Sequence, residues 1–481
     1  MITLVNANAL NIPLPDQSVQ LIATSPPYFM KRDYNTPPAI FPNGSTSCDR
    51  HEWVTQRYYA ENSSGKQSSE SFQSSGEENA ARVKNALWKE DDTCVKCGAW
   101  RGQLGLEPTI GLYVQHLVHI ARELRRVLRD DGVFFLNLGD TYSADRGRQV
   151  PMSKDKGTKR DADFNNLGMN SYNLGLPAKN LCMIPARVAI ALQEDGWILR
   201  NEIVWSKMNP MPESVTDRLT SSHEMIYMFS KSGRYFFDGE AIKQPAKLSS
   251  ILILDRGVSD HHKNSAPTLG QSTSHTMNQA RENIHKQDGT GNRTTTGFNA
   301  RYDPFVMVNK RDVWTVNTTG YSGAHFAVWP EELVEPMILA GTSARGACPT
   351  CRAPWKRVTR KGKFIPMRRK PGDDKTQQAQ RQVSGRGSNS EASETSAMVR
   401  GGVNVSETVG WLPTCKCYGV VSVEEAVDLP TVPCVVLDPF AGSGTTLRVA
   451  VKHRRRAIGL DLNTDYHALQ KDRATVQMEM L

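Results

Sequence analysis

Three groups of residues in this chain have types and spacings that can do chemistry. The first is Ser25, Pro26, Pro27 and Tyr28, which follow the apolar run Leu21, Ile22 and Ala23. Neither proline can donate a backbone hydrogen bond, so the pair must end the strand that the run begins; on these residues alone it reads as a rigid turn. The second is "VLDPFAGSGTT" with "GLDLN", containing Asp438, Gly442, Gly444, Thr445 and Asp461. A glycine loop after a buried strand lets a ligand approach the backbone. Asp461, nineteen positions beyond Gly442, is placed to bind a ribose hydroxyl. The third glycine of a dinucleotide fingerprint is missing, which fits a nucleoside ligand without a pyrophosphate, with S-adenosylmethionine as the candidate. The third group is the cysteines. Cys48 and His51 match Cys94 and Cys97 in type, and Cys348 and Cys351 match Cys415 and Cys417. Each pair of pairs supplies the four closed ligands of a structural zinc, with independent free thiols as the alternative. Cys182 and Cys434 stand alone in apolar surroundings and read as core.

The elements that must position these groups alternate along the chain. "ITLVN" and "VQLIATS" are strands, and "YVQHLVHIARELRRVLRDDG" is a helix with Leu117, Ile120, Leu124, Val127 and Leu128 on one face, closed by Asp130, Asp131 and Gly132. "VFFLNLGDTY" is a buried strand with a polar tip. A helix, glycine turn and strand recur in "IPARVAIALQEDGWILRNEIVWSK" and "EMIYMFSKSGRYFFD", and the C-terminal part runs strand, glycine loop, helix, strand. The expectation is an α/β sheet. Residues 60 to 85, 144 to 175, 243 to 300 and 356 to 408 are polar, and they read as loops or insertions. The last carries "KRVTRKGKFIPMRRKPGDDK", which suits either phosphate contacts or a solvated charged loop. A net charge of +9 over 481 residues is modest and raises the expectation of a polyanionic partner only slightly. No apolar run approaches a membrane span and no cleavable leader is visible, so a soluble, cytoplasmic protein is expected.

Together, "DPFAGSGTT" and "TSPPY" resemble the amino-group DNA methyltransferases, which modify the exocyclic nitrogen of cytosine or adenine using S-adenosylmethionine. The catalytic motif precedes the cofactor motif, as in the permuted order of the family's β group. The cysteine pairs, "CGAWRGQLGLEP" and "GWLPTCKC" resemble a zinc-containing phage and prokaryotic subset. The resemblance implies a Rossmann-like α/β methyltransferase sheet with permuted motif order and zinc-bound insertions. Residues 1–242 would form the catalytic half, with a zinc-bound insertion at 44–105. Residues 243–310 would be a target-recognition insert, 311–345 core, 346–420 a zinc-ribbon-like basic insert, and 421–481 the cofactor-binding half.

By the same resemblance, Ser25 Oγ and the Pro26 carbonyl accept hydrogen bonds from the amine, and Tyr28 stacks on a base extruded from the duplex. The diproline fixes those acceptors and places no N–H beside the carbonyl. Phe440 and Phe326 would contact the cofactor. Asn6 and Asn8 stand where the family often has an Asp near the adenine, and Trp205, Asn209 and Pro210 would line the base pocket. Ser in the first motif position resembles the N4-cytosine enzymes, with N6-adenine as the alternative. C5 chemistry would need a Cys nucleophile, and the one Pro-Cys pair, Pro433-Cys434, lies on the strand into the glycine loop. Double-stranded DNA is the partner implied, with a homodimer and a cognate restriction endonuclease as further candidates. An RNA substrate, or a catalytically inactive zinc-containing DNA-binding protein, remains as a rival reading.

Overall fold

A computed structural model of the chain describes residues 1–31, 34, 36–43, 48–59, 88–143, 176, 177, 179–210, 212–245, 307–318, 328–366 and 402–479. In chain order the strands begin with β1 (Ile2–Val5), β2 (Val19–Thr24), β3 (Ala39–Phe41), β4 (Trp53–Tyr59), β5 (Trp88–Cys94) and β6 (Trp100–Gly102). Helix α1 (Ile110–Val127) leads to β7 (Leu128–Leu138), and α2 (Ile184–Glu194) to β8 (Ile198–Ser206) and β9 (His223–Ser230). Then come β10 (Gln244–Pro245), β11 (Met307–Val308), β12 (Val313–Thr315), α3 (Glu331–Gly341), β13 (Trp355–Pro366) and β14 (Gly402–Pro413). The chain closes with β15 (Val435–Asp438), α4 (Thr445–Lys452), β16 (Arg456–Leu460) and α5 (Asp465–Glu479). Among the described residues no helix is long and apolar enough to cross a membrane.

Two units emerge. The first comprises Met1–Ile242, Arg311–Arg357 and Trp411–Leu481. It holds an eight-stranded sheet in the order β1-β16-β15-β2-β7-β9-β8-β12, in which β9 alone runs antiparallel to its neighbours β7 and β8. Alternation along the strands decides the faces. Ile22, Phe134, Leu437 and Ile458 point to the side covered by α1 and α2, where Tyr113, Leu117, Ile120, Leu124 and Val188 are buried with them. Leu21, Ala23, Val133 and Val436 point to the other side, beneath Leu333, Met337 and Ile338 of α3 and Leu447 and Ala450 of α4. Helix α1 starts where the Thr109 hydroxyl accepts from the Leu112 N–H at 3.2 Å.

Its end differs from the sequence expectation. The helix stops at Val127, Leu128 is already extended, and Asp130, Asp131 and Gly132 lie within β7. There β7 bulges, because its pairing advances from Leu128 to Val133 while β2 advances only from Val19 to Leu21. The bulge is held by Arg129, whose guanidinium pairs with Asp131 (2.7 and 2.9 Å) and donates to the Cys351 carbonyl at 2.6 Å.

A smaller antiparallel sheet, β3-β6-β5-β4, joins three strands of the first insertion to β3, which precedes it. The basic stretch beyond residue 355, expected as a loop, begins and ends as the strand pair β13-β14. The second unit, Lys243–Lys310 with Val358–Gly410, has its boundary inside those strands. Its described residues carry the antiparallel pair β10-β11 and the exposed ion pair Arg360–Glu407 at 3.1 Å. Most of the expected target-recognition insert and the stretch 144 to 175 lie outside the described residues.

Candidate active site

The carboxyl ends of the parallel strands and the amino end of β9 share one edge of the sheet, and the polar side chains collect there. Four neighbouring strands, β2, β7, β9 and β8, each send or lead to one: Ser25, Asn137, Glu224 and Lys207. Ser25 Oγ lies 3.1 Å from Tyr28 Oη and 3.2 Å from Asn137 Oδ1. Tyr28 Oη lies 2.7 Å from both Asn137 Oδ1 and Glu224 Oε2. Asn137 is oriented by its Nδ2, which donates to the Met225 carbonyl at 3.2 Å. Lys207 Nζ donates to Glu224 Oε1 and sits 4.5 Å from the centre of the Trp205 ring. Burial, and then the Glu224 charge, hold the Tyr28 hydroxyl well above its ordinary pKa, so it remains a neutral donor.

The diproline turn is held from behind. Tyr113 Oη of α1 donates to the Pro27 carbonyl at 2.8 Å, and Met30 N–H donates to Gly105 O at 2.7 Å. Among the described residues no hydrogen bond falls on the Pro26 carbonyl. The Tyr28 ring lies against Gly139, where a Cβ would stand 2.6 Å from Cε2. Gly105 N–H donates to Glu107 Oε2 at 2.8 Å, and Glu107 Oε1 is 2.9 Å from Nδ1 of the fully buried His116. The His116 ring stacks on Phe41 and on Trp100, at 4.3 and 5.3 Å, and those two rings also meet each other, at 5.6 Å. Gly105 has φ +90°, and a Cβ there would stand 2.9 Å from the Tyr28 carbonyl. Gly105→Ala is therefore expected to destabilise the protein by about 1–3 kcal/mol and to displace the turn. Thermal melting beside a methyl-transfer assay measures both, and an unchanged melting temperature would show that the loop yields freely.

At the neighbouring strand tips Asp438 joins the two motifs. It is buried, its Oδ1 accepts from Thr24 Oγ1 at 2.6 Å and Phe440 N–H at 3.1 Å, and its Oδ2 accepts from Thr446 Oγ1 at 2.7 Å. Burial raises Asp438 to about 6, against the hydrogen bonds from Thr24, Thr446 and Phe440 that lower it. A carboxyl raised in the fold contributes stability that is complete below its ordinary 3.8 and is lost as pH climbs through about 6. That span is worth roughly 3 kcal/mol. Asp438→Asn cannot ionise and is expected to flatten this part of the pH dependence. Denaturant midpoints for both proteins between pH 4 and pH 7 measure it, and parallel curves would refute the assignment.

The glycine loop is shaped from below by Asp461, whose Oδ2 accepts from Gly442 N–H and whose Oδ1 accepts from Asn463 N–H, both at 2.9 Å. Burial raises the Asp461 carboxyl as well. Helix α5 holds the loop's carbonyls: Gln470 Nε2 donates to Gly442 O and Arg473 Nη1 to Ser443 O, both at 2.8 Å. Gly444 and Thr445 form the start of α4. The loop remains open over Gly442, where a Cβ would meet only Phe440 O, at 3.9 Å. An open backbone loop beside a carboxylate at the tip of the next strand fits a nucleoside ligand. Phe326 lies outside the described residues. Asn8 Oδ1 turns back to cap Leu10 N–H at 2.9 Å. Trp205 is buried, with its Nε1 donating to Val316 O at 2.8 Å, and Asn209 Oδ1 accepts from Thr318 N–H at 2.9 Å, so these two tie β8 to the segment after β12.

Both cysteine sets converge. In the first, Cys48 Sγ lies 3.2 Å from His51 Nδ1, 3.7 Å from Cys94 Sγ and 3.4 Å from Cys97 Sγ, and Cys97 Sγ lies 3.4 Å from His51 Nδ1. In the second, the sulfurs of Cys348, Cys351, Cys415 and Cys417 all lie within 4.8 Å of one another. None of these cysteines forms a disulfide, and such spacing matches the edges of a tetrahedron around one small soft cation. The second set lies against the amino edge of the sheet: besides Arg129, Gln20 Nε2 donates to Arg352 O at 2.7 Å. Cys182 and Cys434 are buried.

Asn137, Glu224 and Lys207 escape motif reading because they stand 109 to 196 positions from the Tyr28 they surround. Their one local signal is a polar residue in or beside an apolar strand, as in "FFLNLG" and "HEMIYMF".

Residues 19–348 and 433–472 match the model of a family described as DNA methylase, N6_N4_Mtase. The type II methyltransferase M.XycI of Xanthomonas campestris pv. cyanopsidis is 37% identical over 241 residues, covering 50% of this chain and 60% of that protein. The type II methyltransferase M.SmaI of Serratia marcescens is 35% identical over 250 residues, covering 51% of this chain and 64% of that protein. The chain thus matches less than two thirds of the length of either relative. A solved structure described as the PvuII DNA methyltransferase, cytosine-N4-specific, is similar with a TM-score of 0.40 and 12% identity, over 98% of this chain and 86% of that one. The segments matched by the family model contain Ser25 to Tyr28, Asn137, Lys207, Glu224 and the loop from Asp438 to Asp461, and the chain belongs to the DNA methylase family.

Proposed function

We propose that this chain transfers a methyl group from S-adenosylmethionine to the exocyclic N4 of cytosine within a specific sequence of double-stranded DNA, with the base flipped out of the helix. The observation that carries the reading is Ser25. Its hydroxyl is held by Tyr28 and Asn137 beside a Pro26 carbonyl that no described donor occupies. Two such acceptors suit the two hydrogens of an exocyclic amine, and together they draw nitrogen lone-pair density toward an electrophile. Ser rather than Asp at this position supports cytosine over adenine. S-adenosylmethionine supplies the methyl group as a sulfonium substituent. The residues that would hold it are Gly442, Gly444 and Thr445 of the loop, with Phe440 beside them and Asp461 for a ribose hydroxyl; Asp438 fixes the loop to Thr24. No covalent enzyme intermediate is required, so catalysis is placement and electrostatics.

The cysteine sets are structural zinc sites in this reading. Three sulfurs with one imidazole, and four sulfurs, are complete donor sets that leave no position open for chemistry. A homodimer, a cognate restriction endonuclease and a cytoplasmic location complete the proposal.

Mass spectrometry of nucleosides from DNA treated with the protein and methyl-labelled S-adenosylmethionine tests it. Label in N4-methylcytosine is expected. Label in N6-methyladenine would overturn the choice of base, and label in RNA alone, or none, would overturn the DNA methyltransferase reading.

A further inference from the structure

Glu224 has no part in the reading so far, yet it is the one carboxylate bonded to the Ser25–Tyr28 cluster among the described residues. Its side chain is 17% exposed, and Lys207, at 18%, pairs with it from the adjacent strand. Three oxygens stand in series: Ser25 Oγ, Tyr28 Oη at 3.1 Å, and Glu224 Oε2 at 2.7 Å beyond. An ionised carboxylate accepts hydrogen bonds and donates none. Tyr28 has one hydroxyl proton and two acceptors at 2.7 Å, Glu224 Oε2 and Asn137 Oδ1; donation to the carboxylate, the stronger acceptor, turns a lone pair of Oη toward Ser25. Ser25 can then donate to Tyr28, leaving its own lone pairs to face an amine.

We propose that Glu224 is a positioning residue that acts through Tyr28, setting the direction of the Ser25 hydroxyl and receiving the proton released by the amine. The inference rests on the methyltransferase reading of the same site.

The step balances. When the nitrogen–methyl bond forms and the sulfonium carbon–sulfur bond breaks, the amine nitrogen becomes cationic and must lose one hydrogen. That proton goes to Ser25 Oγ as the Ser25 proton moves to Tyr28 Oη and the Tyr28 proton moves to Glu224 Oε2. One N–H bond is lost and one carboxyl O–H is gained, while Ser25 and Tyr28 end neutral as they began. A methylated base amine carrying the extra proton is a strong acid, so a carboxylate beside Lys207 suffices as acceptor. Asn137 Oδ1 touches both hydroxyls but cannot take the proton, because a neutral amide is too weak a base.

Single-turnover methyl transfer, measured from pH 6 to pH 9 with the cofactor KM, tests this on wild type, Glu224→Gln, Tyr28→Phe and the double variant. Each single variant is expected to lose tenfold or more in rate with the cofactor KM within twofold, and the double variant to be no slower than the slower single one. The Glu224→Gln rate is further expected to climb with pH, as hydroxide replaces the missing base, where wild type is flat. A Glu224→Gln rate equal to wild type, losses that multiply in the double variant, or a loss with no pH slope would overturn the inference. Wild type that methylates no nucleic acid would overturn the methyltransferase reading itself, a failure distinct from these.

Discussion

Ser25→Ala is expected to lower single-turnover methyl transfer about 100- to 1,000-fold while leaving S-adenosylmethionine binding within twofold. The size follows from removing one pre-positioned hydrogen-bonding group from a site where it needs no reorganisation during reaction, typically about 3–4 kcal/mol. The split follows from location. Ser25 stands at the tip of β2, with its contacts to Tyr28 and Asn137, whereas the glycine loop is built from β15, Asp461 and α5. Equilibrium dialysis with labelled cofactor beside the rate measurement separates the two. A variant that retains a rate within a few-fold of wild type would mean that the Pro26 carbonyl alone polarises the amine.

Emptying the first proposed zinc site is expected to abolish methyl transfer through structure. Cys94 ends β5, Ala99 O accepts from Cys94 N–H at 2.8 Å, and Trp100 opens β6. Trp100 stacks on His116, His116 holds Glu107, and Glu107 holds Gly105 behind Tyr28. Zinc bound to such a set supplies about 10–16 kcal/mol of binding free energy that the chain otherwise lacks for ordering its ligands. Elemental analysis should therefore find two zinc ions per chain, and Cys94→Ala should keep one, lose transfer activity and melt at a lower temperature. Purified protein with zinc at trace level would end the proposal for both sites.

How much of this could be read before the structure depends on how local each feature is. β15, the glycine loop, α4 and β16 lie within 26 consecutive residues, and their strand–loop–helix–strand pattern needs no distant partner. The same holds for the diproline turn after β2. The end of α1 is not legible locally, because Asp130, Asp131 and Gly132 look like a helix stop. Their carboxylate and backbone serve instead a bulge that Arg129 ties to Cys351, 222 residues away. Asp438 reads as a ligand contact in its motif, and its bond to Thr24 spans 414 positions. Glu224 and Lys207 carry no motif at all, because what selects them is the proximity of β9 and β8 to β7 in the finished sheet.

The strand order has a consequence for how the protein is made. Among the described residues β1 pairs only with β16, and β2 pairs on one side with β15, so residues 2 to 5 and 19 to 24 await partners from 435 to 460. A ribosome-bound chain lacking those residues would present β2, buried along its whole length in the finished sheet, as an open apolar edge. Such long-range closure is slow and leaves nascent chains exposed to misassembly. Chaperone demand should accordingly fall sharply in a circular permutant that places β15 and β16 ahead of β1, where the cofactor-loop strands emerge first.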